Sequence, residues 1–107
     1  MKIAQREEYQ GDDWWEWAVW IEGKPEEIKS IQSVAYTLHP SFRDPIRTVT
    51  NPRTKFRLDG EGWGGFVMAA RVETKSGETR VLKHELELFY PPEPRTAKSS
   101  KRRKGTK

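Results

Sequence analysis

Apolar and polar residues alternate along most of this chain, at the two-residue period of strands that bury one face. Trp17, Val19 and Ile21 share one parity while Glu16, Ala18 and Glu22 take the other, so residues 14–22 read as a strand. Trp14, Trp15 and Trp20 crowd that pattern, which puts at least one of them at a surface or an edge. Gly23-Lys24-Pro25 ends the strand, and residues 26–30 allow a single helical turn. Alternation then resumes from Ser30 to Leu38, with Val34, Tyr36 and Leu38 in phase. Pro40, Pro45 and Pro52 punctuate an irregular stretch in which Ile46 to Thr50 reads as a short edge strand. Lys55 to Asp59 alternates with Phe56 and Leu58 in phase, and Phe66, Met68, Ala70 and Val72 define the next strand. Ser76-Gly77 marks a hairpin turn, because glycine accepts positive φ cheaply. Leu82, His84, Leu86 and Leu88 form the buried face of the returning strand, which Pro91-Pro92-Glu93-Pro94 stops.

All seven prolines fall between strands or after the last one, and no amphipathic helix of three turns occurs. Six to eight short strands in a chain of 107 residues predict one all-β domain, an antiparallel β-sandwich. Hydrophobic and charged residues each make up 34% of the chain, which implies a modest core and a polar segment outside it. The charge locates that segment. Arg95, Lys98, Lys101, Arg102, Arg103, Lys104 and Lys107 give residues 95–107 seven positive charges and no acid, leaving 13 basic against 16 acidic residues in 1–94. The predicted organisation is therefore a mildly acidic sandwich over 1–94 and a disordered basic tail over 95–107, too polar to offset its ordering entropy. With no cysteine there is no disulfide framework, thiolate nucleophile or cysteine-based zinc site. No apolar signal region and no membrane-length apolar run occur, so the expectation is a cytoplasmic protein without a membrane partner.

Two loops carry the candidate chemistry: Leu38-His39-Pro40-Ser41-Phe42 and Gly60-Glu61-Gly62-Trp63-Gly64-Gly65-Phe66. Each sets an aromatic among turn-forming residues, where it serves either as a plug on the end of the core or as a stacking surface for a ligand. Spacing alone leaves both open. Residues 60–65 match G-x-G-x-x-G, but that motif needs a strand before it and a helix after it, and Phe66 to Glu73 alternates as a strand. His39 and Ser41 lie two residues apart without a third partner or a nucleophile elbow, which argues against a hydrolase. His84, in phase with three leucines, reads as a hydrogen-bonded core histidine; two distant histidines make a poor metal site. The expectation is a binding module with no catalytic residue, metal or cofactor. Nucleic-acid binding would rest on the tail, chiefly Lys101, Arg102, Arg103 and Lys104.

Taken in order, Trp17-Ala18-Val19-Trp20-Ile21, Ile31 to Phe42, Gly62-Trp63-Gly64-Gly65-Phe66 and His84 to Leu88 resemble a YEATS domain across residues 14–90. The compact form is most similar to the prokaryotic YEATS group. The resemblance implies an immunoglobulin-like β-sandwich that reads acylated lysine, acetyl or crotonyl. Phe42 and Trp63 match the aromatics that flank the flat acyl amide, Ser41 the hydroxyl that bonds it, and His39 the imidazole beside it. Backbone N–H groups around Gly62, Trp63 and Gly64 would take the acyl oxygen, and Phe66 would pack at the base of the loop. An unmodified ammonium would lose hydration in such a slot with no carboxylate to receive it. A further aromatic that some eukaryotic members carry falls near Asp13 here, and Trp14 or Trp15 can replace it only in a shifted register. The expected partner is an acylated-lysine peptide bound by a monomer. The alternatives are a nucleic-acid or chromatin-associated accessory protein acting through the tail, and a protein-interaction sandwich of a bacterial signalling or conflict system.

Overall fold

The computed structural model describes residues 1–91. The expected boundary at residue 94 and the tail candidates Lys101, Arg102, Arg103 and Lys104 lie outside the described residues. Seven strands form two antiparallel sheets. In one sheet β1 (Lys2–Gly11), β2 (Trp14–Glu22) and β5 (Leu58–Gly62) lie in the order β1-β2-β5. In the other, β3 (Ile31–Thr37), β4 (Ile46–Val49), β6 (Phe66–Thr74) and β7 (Thr79–Leu86) lie in the order β4-β3-β6-β7. The helical content is a five-residue helix, α1 (Pro25–Lys29), and a single 3-10 turn at Pro52–Thr54. Pro25 opens α1, where its missing N–H leaves no bond unmade.

The parities read from the sequence meet between the sheets. Trp17, Val19 and Ile21 face Val34, Tyr36, Met68, Ala70, Val72 and Leu86, all buried. Trp15 is buried, Trp20 half-buried and Trp14 exposed, so the crowded tryptophans divide among core, flank and surface. The hairpin between β6 and β7 turns at Gly77, with φ +94° and its N–H donating to the Thr74 carbonyl at 3.0 Å.

Two elements differ from the expected pattern. Strand β1 was not evident because its inward positions are largely polar. Ile3 is buried, but Gln5 and Glu7 follow it; Gln5 bonds across to His84 of β7, and Glu7 to the segment that follows β7. Gln5 Nε2 donates to the Glu87 carbonyl at 2.9 Å, and Gln5 Oε1 accepts from His84 Nε2 at 2.6 Å. Glu7 accepts the Phe89 N–H, while the Trp15 indole N–H donates to the Phe89 carbonyl at 2.9 Å. These side chains close the flank of the sandwich where ladder bonds do not reach. Strand β5, for its part, begins at Leu58 rather than Lys55. Lys55 and Phe56 adopt φ of 57° and 59°, which no strand permits. That turn drives Phe56 into the core, where its carbonyl accepts the Tyr36 hydroxyl at 2.7 Å.

Burial holds the half-buried His84 imidazole below its ordinary value of 6.5, against the opposing pull of the Glu87 and Glu85 carboxylates. The unfolded chain therefore takes up the His84 proton first as pH falls. Stability from this group is complete above about 6.5 and is lost as pH falls through the lower folded value. Denaturant midpoints should stay level above neutrality and decline below that point, and His84→Gln should flatten the decline. An unchanged slope in that variant would contradict the assignment.

Candidate functional site

The chain after β3 turns sharply to build the first wall. The Leu38 N–H donates to the Pro45 carbonyl at 2.7 Å, and the Phe42 N–H donates to the His39 carbonyl at 3.0 Å. Arg47 braces the turn from β4, its Nε donating to the Asp44 carbonyl and its Nη2 to the Arg43 carbonyl. The guanidinium of Arg47 also lies 5.8 Å from the centre of the Phe42 ring. Leu38 is buried beneath this turn, which leaves Phe42 half-buried and His39 and Ser41 exposed.

Within the turn, Ser41 N–H donates to His39 Nδ1 at 3.1 Å, so Nδ1 is the unprotonated ring nitrogen. The Ser41 hydroxyl, 2.8 Å from the same atom, then donates to it as well. Its oxygen lone pairs remain free to accept a hydrogen bond from outside the turn.

The second wall follows β5. Trp17 of β2 pairs with Gly60, and a Cβ there would overlap the Trp17 indole. At the start of β6, a Cβ at Gly65 would overlap the Leu86 carbonyl oxygen. These two glycines let the loop lie close on the sandwich. Gly62 and Gly64 differ, since no atom lies within 4 Å of where their Cβ would stand. Between them Trp63 is 71% exposed.

The two walls border one cleft of about 290 Å³, lined by His39, Ser41, Phe42, Gly62, Trp63 and Gly64 together with Trp14, Arg43, Glu61, Gly65 and Phe66. All six residues singled out in the two loops meet there. Phe66 closes the base, as expected, with its ring 5.2 Å from Phe42 and 6.0 Å from Trp17. Phe42 meets Trp17 edge-on at 6.1 Å. Two lining residues, Arg43 and Glu61, were not read from the sequence, and Trp14 was read only as a replacement in a shifted register. Trp14 enters the cleft where only a shifted register would have put it, while Trp15 points instead to Tyr9 and Tyr90. Arg43 and Glu61 add one charge of each sign, so the lining does contain a carboxylate. Glu61 Oε1 accepts the Trp14 indole N–H at 2.8 Å. The interruption of the strand pattern by glycine hid Glu61, which reads as loop but stands in β5. Among the described residues, no cluster of three or more His, Cys, Asp or Glu side chains is arranged to hold a metal, and no helix is long and apolar enough to cross a membrane.

Two packed antiparallel β-sheets are also the fold of solved YEATS domains. Among solved structures, the YEATS domain of Yaf9 recognizing an H3K122suc peptide superposes with TM-score 0.63 at 21% identity, covering 80% of this chain and 68% of that one. The Yaf9 YEATS domain bound to H3K27ac gives 0.64 at 20% identity, covering 83% and 70%. The model of the prokaryotic YEATS domain matches residues 15–87, and the chain belongs to that family. Curated relatives are similar over part of their length. Subunit 14 of transcription initiation factor TFIID from Schizosaccharomyces pombe is 32% identical over 74 residues, 63% of this chain and 30% of the relative. Subunit 14b from Arabidopsis thaliana is 33% identical over 78 residues, 68% of this chain and 28% of the relative. The chain thus spans under a third of the length of either.

The glycines make separable predictions. Gly65→Ala forces a Cβ against a backbone carbonyl and should lower stability by about 1–3 kcal/mol, as overpacking does. Gly64→Ala meets open space and should leave stability within about 0.5 kcal/mol of the parent's, as for a surface change. Equal effects in thermal unfolding would contradict this account of the loop.

Proposed function

We propose that this domain is a non-enzymatic binding module that reads acylated lysine in the cleft between the two loops. The observation that carries the reading is the meeting of Phe42, Trp63 and the Ser41 hydroxyl in one cleft. An acyl-lysine side chain ends in a flat, uncharged amide. Phe42 and Trp63 offer faces for that plane, and Ser41 an acceptor for its N–H. Gly62 and Gly64, with open space where a Cβ would stand, let the acyl oxygen approach the main-chain N–H groups. Removing an ammonium from water into a slot between aromatic rings is unfavourable without a free counter-charge. Glu61, the carboxylate in the lining, gives one oxygen to the Trp14 N–H, and Arg43 brings the opposite charge to the same lining. Acylation, which removes the charge, is therefore the modification this cleft favours. The Yaf9 domains support the reading, being YEATS domains seen with an acetylated and a succinylated histone peptide.

Calorimetric titration with acetyl-, crotonyl- and succinyl-lysine peptides against their unmodified counterparts tests the proposal. At least one acyl peptide should bind more tightly than its unmodified form. Trp63→Ala and Phe42→Ala should each weaken that binding by about tenfold, the worth of a lost aromatic contact. Equal affinity for modified and unmodified peptides, or indifference to both substitutions, would sink the reading.

A further inference from the structure

Glu61 occupies a place in the sheet that a carboxylate does not favour. Register sets Glu8 of β1 opposite Glu16 of β2, and Glu16 opposite Glu61 of β5, three acids side by side on one face. Like charges directly opposite one another destabilise a sheet. The same face forms an open recess of about 370 Å³ that Glu8, Glu16, Asp59 and Glu61 share with Arg6 and Arg57. Arg57 is engaged with Asp59 at 2.9 Å. What Glu61 does form is the bond to Trp14. Its Oε1 accepts the indole N–H at 2.8 Å, a hydrogen bond strengthened by the carboxylate charge.

Trp14 is the first residue of β2 and is 39% exposed. Its outward parity keeps it out of the core. The last paired residues of β2 and β5 at this end are Trp15 and Gly62, so one step further the ladder brings Trp14 level with Trp63. Both indoles line the cleft. A large side chain at the exposed end of a strand has many orientations available, and a single hydrogen bond to a residue on the neighbouring strand selects one.

We propose that Glu61 is a positioning residue that holds Trp14 as a third aromatic wall of the cleft, at the expense of sheet stability. The proposal rests on the acyl-lysine reading for its ligand and on the Trp14–Glu61 bond for its mechanism.

The test pairs binding with stability in Trp14→Ala, Glu61→Ala, Glu61→Gln and the double alanine variant. Trp14→Ala should weaken the preferred acyl-lysine peptide by about five- to tenfold. Glu61→Ala should lose most of the same factor while its denaturant midpoint holds or rises, because a repulsive charge is gone. The double variant should bind no worse than Trp14→Ala, since both changes remove one wall. Glu61→Gln keeps an acceptor oxygen and should bind as the parent does. A Glu61→Ala variant that binds like the parent, or that loses stability in step with affinity, would overturn the proposal, as would a Glu61→Gln variant as weak as Glu61→Ala. The Trp14 indole N–H resonance of the free, ¹⁵N-labelled protein separates this proposal from the function it rests on. That resonance should shift in Glu61→Ala and stay near the parent's position in Glu61→Gln. Parent protein that ignores every acyl peptide while this pattern holds would overturn the acyl-lysine reading and support the clasp. A resonance unmoved in Glu61→Ala would overturn the clasp whatever the peptides do.

Discussion

The indole of Trp17 is the contact on which both loops of the cleft depend. It is buried between the sheets, with Gly60 of the neighbouring strand directly against the ring. Any side chain at Gly60 would collide with it, so the close pairing of β2 and β5 requires glycine there. Phe42 from the first loop and Phe66 from the second present to the same indole edge-on, at 6.1 and 6.0 Å. One core residue thereby sets the position of a strand and of an aromatic from each wall. The arrangement has an energetic cost, since the Trp17 N–H is buried without a hydrogen-bond partner among the described residues. Such an orphaned donor forfeits about 1–3 kcal/mol, and the packing of two aromatic rings against the indole offsets that loss.

This floor divides the cleft into packed and exposed parts. Phe66 and Phe42 are held against Trp17 and each other, and the first loop is further braced by Arg47. Trp63 stands 71% exposed between two glycines that meet no neighbouring atom. An exposed indole on a loop is a poor contributor to folding and a natural surface for stacking. The cleft therefore has a packed face at Phe42 and an exposed face at Trp63.

Most of the sandwich was legible because its strands obey a simple rule: apolar side chains face inward at every second position. Val34 and Tyr36, Met68 through Val72, and Leu86 all fall where alternation puts them. Strand β1 broke the rule, because Gln5 meets β7 and Glu7 the segment after it through hydrogen bonds rather than apolar contact. Strand β5 broke it differently: Gly60 and Gly62 carry no side chain to reveal an inward face, and left-handed residues at Lys55 and Phe56 delay its start. In the site, local turn chemistry exposed the two loops and their aromatics. Glu61 and Arg43 were not legible, and Trp14 only as a replacement in a shifted register, since all three enter the cleft through cross-strand register and loop closure, which pattern alone does not supply.

The central claim is that the space between the two loops, and no other surface, receives an acylated lysine. Amide chemical-shift mapping on the ¹⁵N-labelled domain, titrated with an acetyl-lysine peptide and then with its unmodified form, tests it most directly. The account predicts shifts concentrated at Ser41, Phe42 and Gly62 through Phe66, produced by the acetylated peptide and nearly absent with the other. Shifts centred on the outer face of either sheet, or the same shifts from both peptides, would contradict it.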